Sequence, residues 1–133
     1  MRYLTFTKES EQRVGVLLDD SLSVLDLSHE SCSDIMADQS SSLLEMVKAG
    51  LPLMTKKIKE KIESGSYDQS AVVSLDVIRV CAPIPAPGKV IGAAYNFTDA
   101  LDERSMPYPT EPVIFIRSGN TVIGPNDAIL IPP

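Results

Sequence analysis

The chain has 133 residues, of which 44% are apolar and 23% charged, enough for one compact core and incompatible with wholesale disorder, collagen or a coiled coil. Twelve basic against eighteen acidic side chains leave a formal charge of −6. That is the wrong sign for a nucleic-acid partner, whose phosphates need a basic face. No apolar run approaches the roughly 18 residues of a membrane span, and the opening MRYLTFTKE lacks the unbroken apolar stretch of a secretory signal. A soluble, cytoplasmic protein is expected, with neither membrane nor nucleic acid among its partners. Cys32 and Cys81 are too few for a disulfide framework and have no C-x-x-C spacing. The single histidine, His29, forms H-x-x-C with Cys32, but two ligands without a further Cys or His nearby do not make a zinc site.

Taken in chain order, Arg2 to Thr7 alternates, with Leu4 and Phe6 on one side and Tyr3, Thr5 and Thr7 on the other, which predicts a half-buried strand. Arg13 to Leu18 repeats the pattern with Val14, Val16 and Leu18. Asp19-Asp20-Ser21 is turn chemistry, and Ser23 to Leu27 reads as a third strand. This meander needs a cover for its apolar face, and the next segment is expected to supply part of it. Residues 28–42 read as loop with at most a helical turn. Ser42-Leu43-Leu44-Glu45 is a capping-box pattern, in which the Ser hydroxyl and the Glu carboxylate satisfy free N–H groups at a helix start. The helix should stop at Gly50. Pro52 suits the first turn of a second one, with Leu51, Met54, Ile58 and Ile62 at helical spacing and Gly65 at its end. Lys56, Lys57, Lys59 and Lys61, interleaved with Glu60 and Glu63, read as a solvated helix face with pairs four apart.

From Val77 the character changes. Val77 to Val80 reads as a strand, and the alternate prolines Pro83, Pro85 and Pro87 exclude a helix and hold a stiff connector. Lys89 to Ala93 and Val113 to Ile116 read as strands, with a short helical turn over Ala100 to Glu103. Gly119-Asn120 and Gly124-Pro125-Asn126-Asp127 are turns. Ala128 to Ile131 restarts a strand before Pro132-Pro133. Such a strand would leave an apolar edge unpaired, so the chain is expected to be the front portion of a longer protein. Gly88 and Gly124 form no phosphate-cradling series.

Four segments in order, Ala82 to Lys89 (APIPAPGK), Asn96 to Glu103 (NFTDALDE), Glu111 to Arg117 (EPVIFIR) and Ile123 to Pro132 (IGPNDAILIP), carry a resemblance. The stretch from Leu75 to Pro133 resembles the fumarylacetoacetate hydrolase family, whose members read A-P-x-P-x-P-G-K, then N-Y-x-D-H-x-x-E, then E-P-x-x-F-x-K, then I-G-P-x-D-x-I-x-x-P. The resemblance implies an α+β fold: a small N-terminal α/β domain of meander and helices over 1–74, then the opening segment of a mostly-β catalytic domain over 75–133. It also implies a homodimer acting on small keto or carbonyl acids by C–C hydrolysis, decarboxylation, hydration or isomerisation. A divalent cation, Mg²⁺ or else Mn²⁺ or Ca²⁺, would be held by carboxylates downstream of this chain, with none bound by the chain alone.

The chain departs from that pattern at position 100, where alanine stands for the family's histidine; Phe97 replaces a tyrosine and Arg117 a lysine. A methyl group accepts no proton, so weak hydrolysis, or a tautomerisation or decarboxylation, is expected instead. Glu103, which matches the histidine's partner, is the candidate catalytic carboxylate. Arg117, whose planar fork suits a substrate carboxylate, Asn96, Tyr95 and Asp99 are the candidate substrate-binding residues, and no metal ligand is assigned. The rival expectation is a degenerate, non-catalytic member that binds a ligand or serves in assembly.

Overall fold

Residues that alternate in the N-terminal third form strands, and their turns set the register. The computed structural model describes residues 1–36 and 42–131; the expected loop over 37–41 and the terminal Pro132-Pro133 lie outside the described residues. Helix and antiparallel sheet are mixed, an α+β class. Two compact units are present, Met1–Pro85 with Ile123–Pro133, and Ala86–Val122.

In the first unit β1 (Arg2–Lys8) and β2 (Glu11–Leu17) are joined by a two-residue turn, Glu9-Ser10, with φ of 52° and 68°. Both positive values are what a type I′ hairpin requires. At the next turn the Asp20 carboxylate accepts from the Ser23 hydroxyl at 2.6 Å and from the Leu22 and Ser23 amides at 2.9 and 2.8 Å. Those donors, the hydroxyl first, hold its carboxyl below the ordinary range. β3 (Ser23–Asp26) follows, and β4 (Val72–Ser74) and β5 (Arg79–Val80) complete an antiparallel sheet in the order β4-β3-β2-β1-β5.

Both faces of this sheet are apolar, and each has its own cover. Tyr3, Val14, Val16 and Leu25 belong to a cluster with Leu43, Met46 and Ile58 of the helix α1 (Leu43–Ser64). Leu4, Phe6, Val24 and Val73 belong to a second cluster with Leu75, Ile78 and Val80. Gly15 makes this second packing possible: a Cβ there would sit 2.5 Å from Val24 Cγ1 and 3.0 Å from the Phe6 ring. Arg13 donates to the buried Asp26 at 2.6 Å, and the Asp26 carboxylate also accepts from the Ser28 amide at 2.9 Å. That carboxylate, then Glu11, raises the Arg13 guanidinium above its ordinary range.

Helix α1 is one run with a break, as Gly50 and Pro52 predict. Gly50 has φ 108° and ψ 78°, outside helical space, and a Cβ there would meet nothing within 4 Å. Backbone conformation rather than space therefore calls for glycine. Ser42 caps the start by accepting from the Leu44 amide at 3.2 Å, and Gly65, at φ 65°, caps the end. The other half of the capping box is absent, because Glu45 takes the Lys48 ammonium at 2.7 Å. Lys61 departs from the solvated face expected of the lysine cluster. Its side chain is only 10% exposed, pairs with Asp34 at 2.9 Å and donates to the Ser31 and Ser66 carbonyls at 2.8 and 2.9 Å.

Other differences lie at short elements. β4 has no counterpart in the sequence reading. The strand expected over 77–80 is a 3-10 turn, Leu75–Val77, followed by the two residues of β5. Ala128 to Ile131 is not a strand, and Ile129, Leu130 and Ile131 are 80–89% exposed. Its approach is instead fixed by Asp127, which accepts from the Gly124 amide at 2.8 Å and from Arg79 at 2.6 Å. No helix among the described residues is long and apolar enough to cross a membrane.

The second unit is a hairpin of β6 (Lys89–Ala94) and β7 (Val113–Ser118), with a short helix, α2 (Thr98–Glu103), in the connection. Gly92 faces Phe115 across the ribbon, and a Cβ at Gly92 would overlap its ring at 2.3 Å.

Replacing Arg13 with Met leaves Asp26 buried without its countercharge. The expected loss, read by urea unfolding, is about 2 kcal/mol, below the ~3–5 kcal/mol of a fully enclosed pair because 26% of the Arg13 side chain stays exposed. Acid should weaken the Asp20 turn. A carboxyl held below its unfolded value stabilises the fold above the ordinary carboxylate pKa, about 4, and that stability is lost as pH falls through the folded value. Tm measured from neutral pH downward should therefore drop less steeply in Asp20→Asn than in wild type.

Candidate active site

The segment that matches N-Y-x-D-H-x-x-E leaves the end of β6 and turns at Tyr95, whose φ of 53° is left-handed for a non-glycine residue. Asn96 and Phe97 lead into α2. Phe97 at the N-cap offers no side-chain bond; the Asp99 carboxylate accepts from the Ala100 amide at 2.9 Å. Leu101 is buried and anchors the helix. After Arg104 the chain turns at Ser105, φ 51°, and the Tyr108 hydroxyl donates to the Asp102 carboxylate at 2.5 Å. That bond holds the Tyr108 hydroxyl above its ordinary range.

These elements form an open cavity of about 200 Å³ lined by the exposed Tyr95, Asn96, Phe97, Ala100 and Arg104 and by Met106, over the buried Leu101. Of the candidate residues, Tyr95 and Asn96 line it. Asp99 is committed to the helix backbone, and Glu103 lies on α2 outside the lining, exposed and with no partner among the described residues. Arg117 also lies outside the lining, with its guanidinium 5.4 Å from the centroid of the Phe115 ring. Arg104 was not singled out from the sequence. The available signal was its spacing of four from Ala100, which places both on one helix face.

The His29 and Cys32 pair belongs to the first unit and has a structural use. His29 Nδ1 accepts from the Ser31 amide at 3.2 Å, capping the 3-10 turn Glu30–Cys32, and Nε2 lies 3.1 Å from the Ser70 hydroxyl. Burial pushes the Cys32 thiol up, away from reactive thiolate. No three His, Cys, Asp or Glu side chains among the described residues converge to hold a metal ion.

No family model matches the sequence. The chain is 30% identical over 120 residues to the oxaloacetate tautomerase fahd2, mitochondrial, of Xenopus laevis, covering 90% of this chain and 34% of that protein. It is 30% identical over 131 residues to the fumarylacetoacetate hydrolase domain-containing protein 2 homolog of Dictyostelium discoideum, covering 98% and 39%. The human oxaloacetate tautomerase FAHD2A, mitochondrial, is 32% identical over 92 residues, covering 62% and 29%. The chain spans about a third of the length of these relatives. With the four ordered motifs and the alignment over nine-tenths of its length, the chain belongs to the fumarylacetoacetate hydrolase family.

Proposed function

We propose that this chain is part of an enzyme that moves a proton between carbon and oxygen of a small 2-oxo acid, a keto–enol isomerisation, rather than one that hydrolyses a C–C bond. The observation that carries this reading is the Ala100 methyl at the cavity, where the family pattern has histidine. Hydrolysis needs a base to take a proton from the attacking water, and Ala100 has no atom that can. Isomerisation activates no water. The activity in the names of the FAHD2 relatives, oxaloacetate tautomerase, supports the same choice.

In this reading Glu103 is the catalytic carboxylate. Of the three acids on α2, Asp99 accepts from the Ala100 amide and Asp102 from Tyr108, while Glu103 has no partner among the described residues. Asn96 and Tyr95 at the cavity bind substrate, whereas Asp99 orders the start of α2 through the Ala100 amide and Arg117 stands outside the lining. The divalent cation, Mg²⁺ or else Mn²⁺ or Ca²⁺, is assigned to carboxylates supplied from outside this chain. Residues 1–74 as N-terminal domain, 75–133 as the opening of the catalytic domain, a homodimer and a cytoplasmic location complete the reading, the last against the mitochondrial location in the relatives' names. The same alanine favours one rival, a family member that binds its ligand without turning it over.

The test uses the full-length protein with oxaloacetate and an acylpyruvate. Wild type should speed enol-to-keto conversion of oxaloacetate and cleave the acylpyruvate slowly or not at all. Glu103→Gln should lower kcat by about 100-fold, with KM changed by no more than about twofold. Ala100→His should raise cleavage. Brisk wild-type cleavage that Ala100→His leaves unchanged sinks the isomerase reading; oxaloacetate binding without turnover selects the rival.

A further inference from the structure

The cavity in the second unit has one charged side chain in its lining, Arg104. It stands four residues after Ala100, at the C-cap of α2 with φ −94° and ψ 2°. Residues four apart share a helix face, and a long side chain leans back over the preceding turn. Ala100 and Arg104 both line the cavity, and the methyl at position 100 takes up little of that face. Arg13 and Arg79 are paired with carboxylates, whereas Arg104 has no ion pair among the described residues. Of the three acids on α2, Asp99 and Asp102 hold the Ala100 amide and Tyr108, and the neighbouring Glu103, exposed, makes no ion pair with it among the described residues. The rest of the lining is Asn96, Tyr95, Phe97 and Met106 over the buried Leu101. At about 200 Å³ the cavity suits a small ligand.

We infer that Arg104 binds the carboxylate remote from the 2-oxo group and so selects dicarboxylic over monocarboxylic 2-oxo acids. The inference rests on the reading of the chain as a 2-oxo acid enzyme. A guanidinium offers a planar pair of N–H donors that match a carboxylate, which a lysine ammonium does not. A purely structural role, complementing the helix C-terminus, gives no such selectivity.

Full-length wild type, Arg104→Ala and Arg104→Lys are compared on oxaloacetate and phenylpyruvate, two enolisable acids with two carboxylates and one. The ratio of their kcat/KM values should fall roughly tenfold or more in Arg104→Ala, through KM for oxaloacetate, and recover in part in Arg104→Lys. Equal losses on both acids, or an unchanged ratio, overturn the inference while leaving the isomerase reading intact. Calorimetric titration with malonate provides a readout that needs no turnover: binding should weaken roughly tenfold in Arg104→Ala. If wild type converts neither acid, the functional reading fails, and the malonate titration still decides on Arg104. Equal malonate affinity in wild type and variant, or none in wild type, overturns it. Should Arg104→Ala lose its circular dichroism signature of folding, Arg104→Lys carries both comparisons.

Discussion

A five-stranded sheet that is apolar on both faces has to be covered twice, and most of the first unit answers that requirement. Helix α1 covers the face of Val14, Val16 and Leu25, while the chain around β4 and β5 covers Leu4, Phe6 and Val24. Between the two covers, polar groups survive only with partners. The buried Thr5 hydroxyl donates to the Pro83 carbonyl at 2.6 Å, and Asp26 is held by Arg13 and the Ser28 amide. No buried side-chain polar atom among the described residues lacks a partner, as expected where leaving one unpaired costs about 1–3 kcal/mol. Tyr3 shows the same economy: its hydroxyl reaches Thr55 of α1 at 2.6 Å, so a residue on the apparently polar side of β1 joins the helix to the sheet.

The second unit follows a different logic. Its helix is short, has one buried residue, Leu101, and depends on local side-chain bonds from Asp99 and Tyr108 to hold its turn. Each of those bonds occupies one carboxylate oxygen of an α2 acid. What remains around the cavity is a guanidinium, an amide and a phenol against apolar walls. Such a surface can hold and polarise an anion, but no imidazole stands there to handle water.

Legibility in the sequence tracked how local the determining force is. Alternation revealed β1 to β3, and Ser42, Gly50, Pro52 and Gly65 marked the start, break and end of α1, because capping and left-handed backbone are properties of a few adjacent residues. Elements set by distant partners were not readable. β4 exists because Val73 and Val72 pair with Val24 and Leu25 of β3, some fifty residues earlier. Lys61 leaves the solvent because Asp34 and the Ser31 carbonyl come to it from another loop. The Glu9-Ser10 turn has positive φ without the Asn or Gly that normally signals it. At the site, motif order identified the segment and the alanine at position 100, and the spacing of four marked Arg104, but only the course of the chain after α2 brought Met106 to the cavity beside Asn96.

The β6–β7 ribbon has a bearing on biogenesis. Ile91, Ile114 and Ile116 are each more than half exposed, and Phe115 is 41% exposed. Two strands with wet, branched apolar side chains, paired to no third strand among the described residues, are a template for pairing with identical ribbons on neighbouring polypeptides. While nascent chains crowd on a polysome, this hairpin is therefore a segment that chaperone shelter would protect.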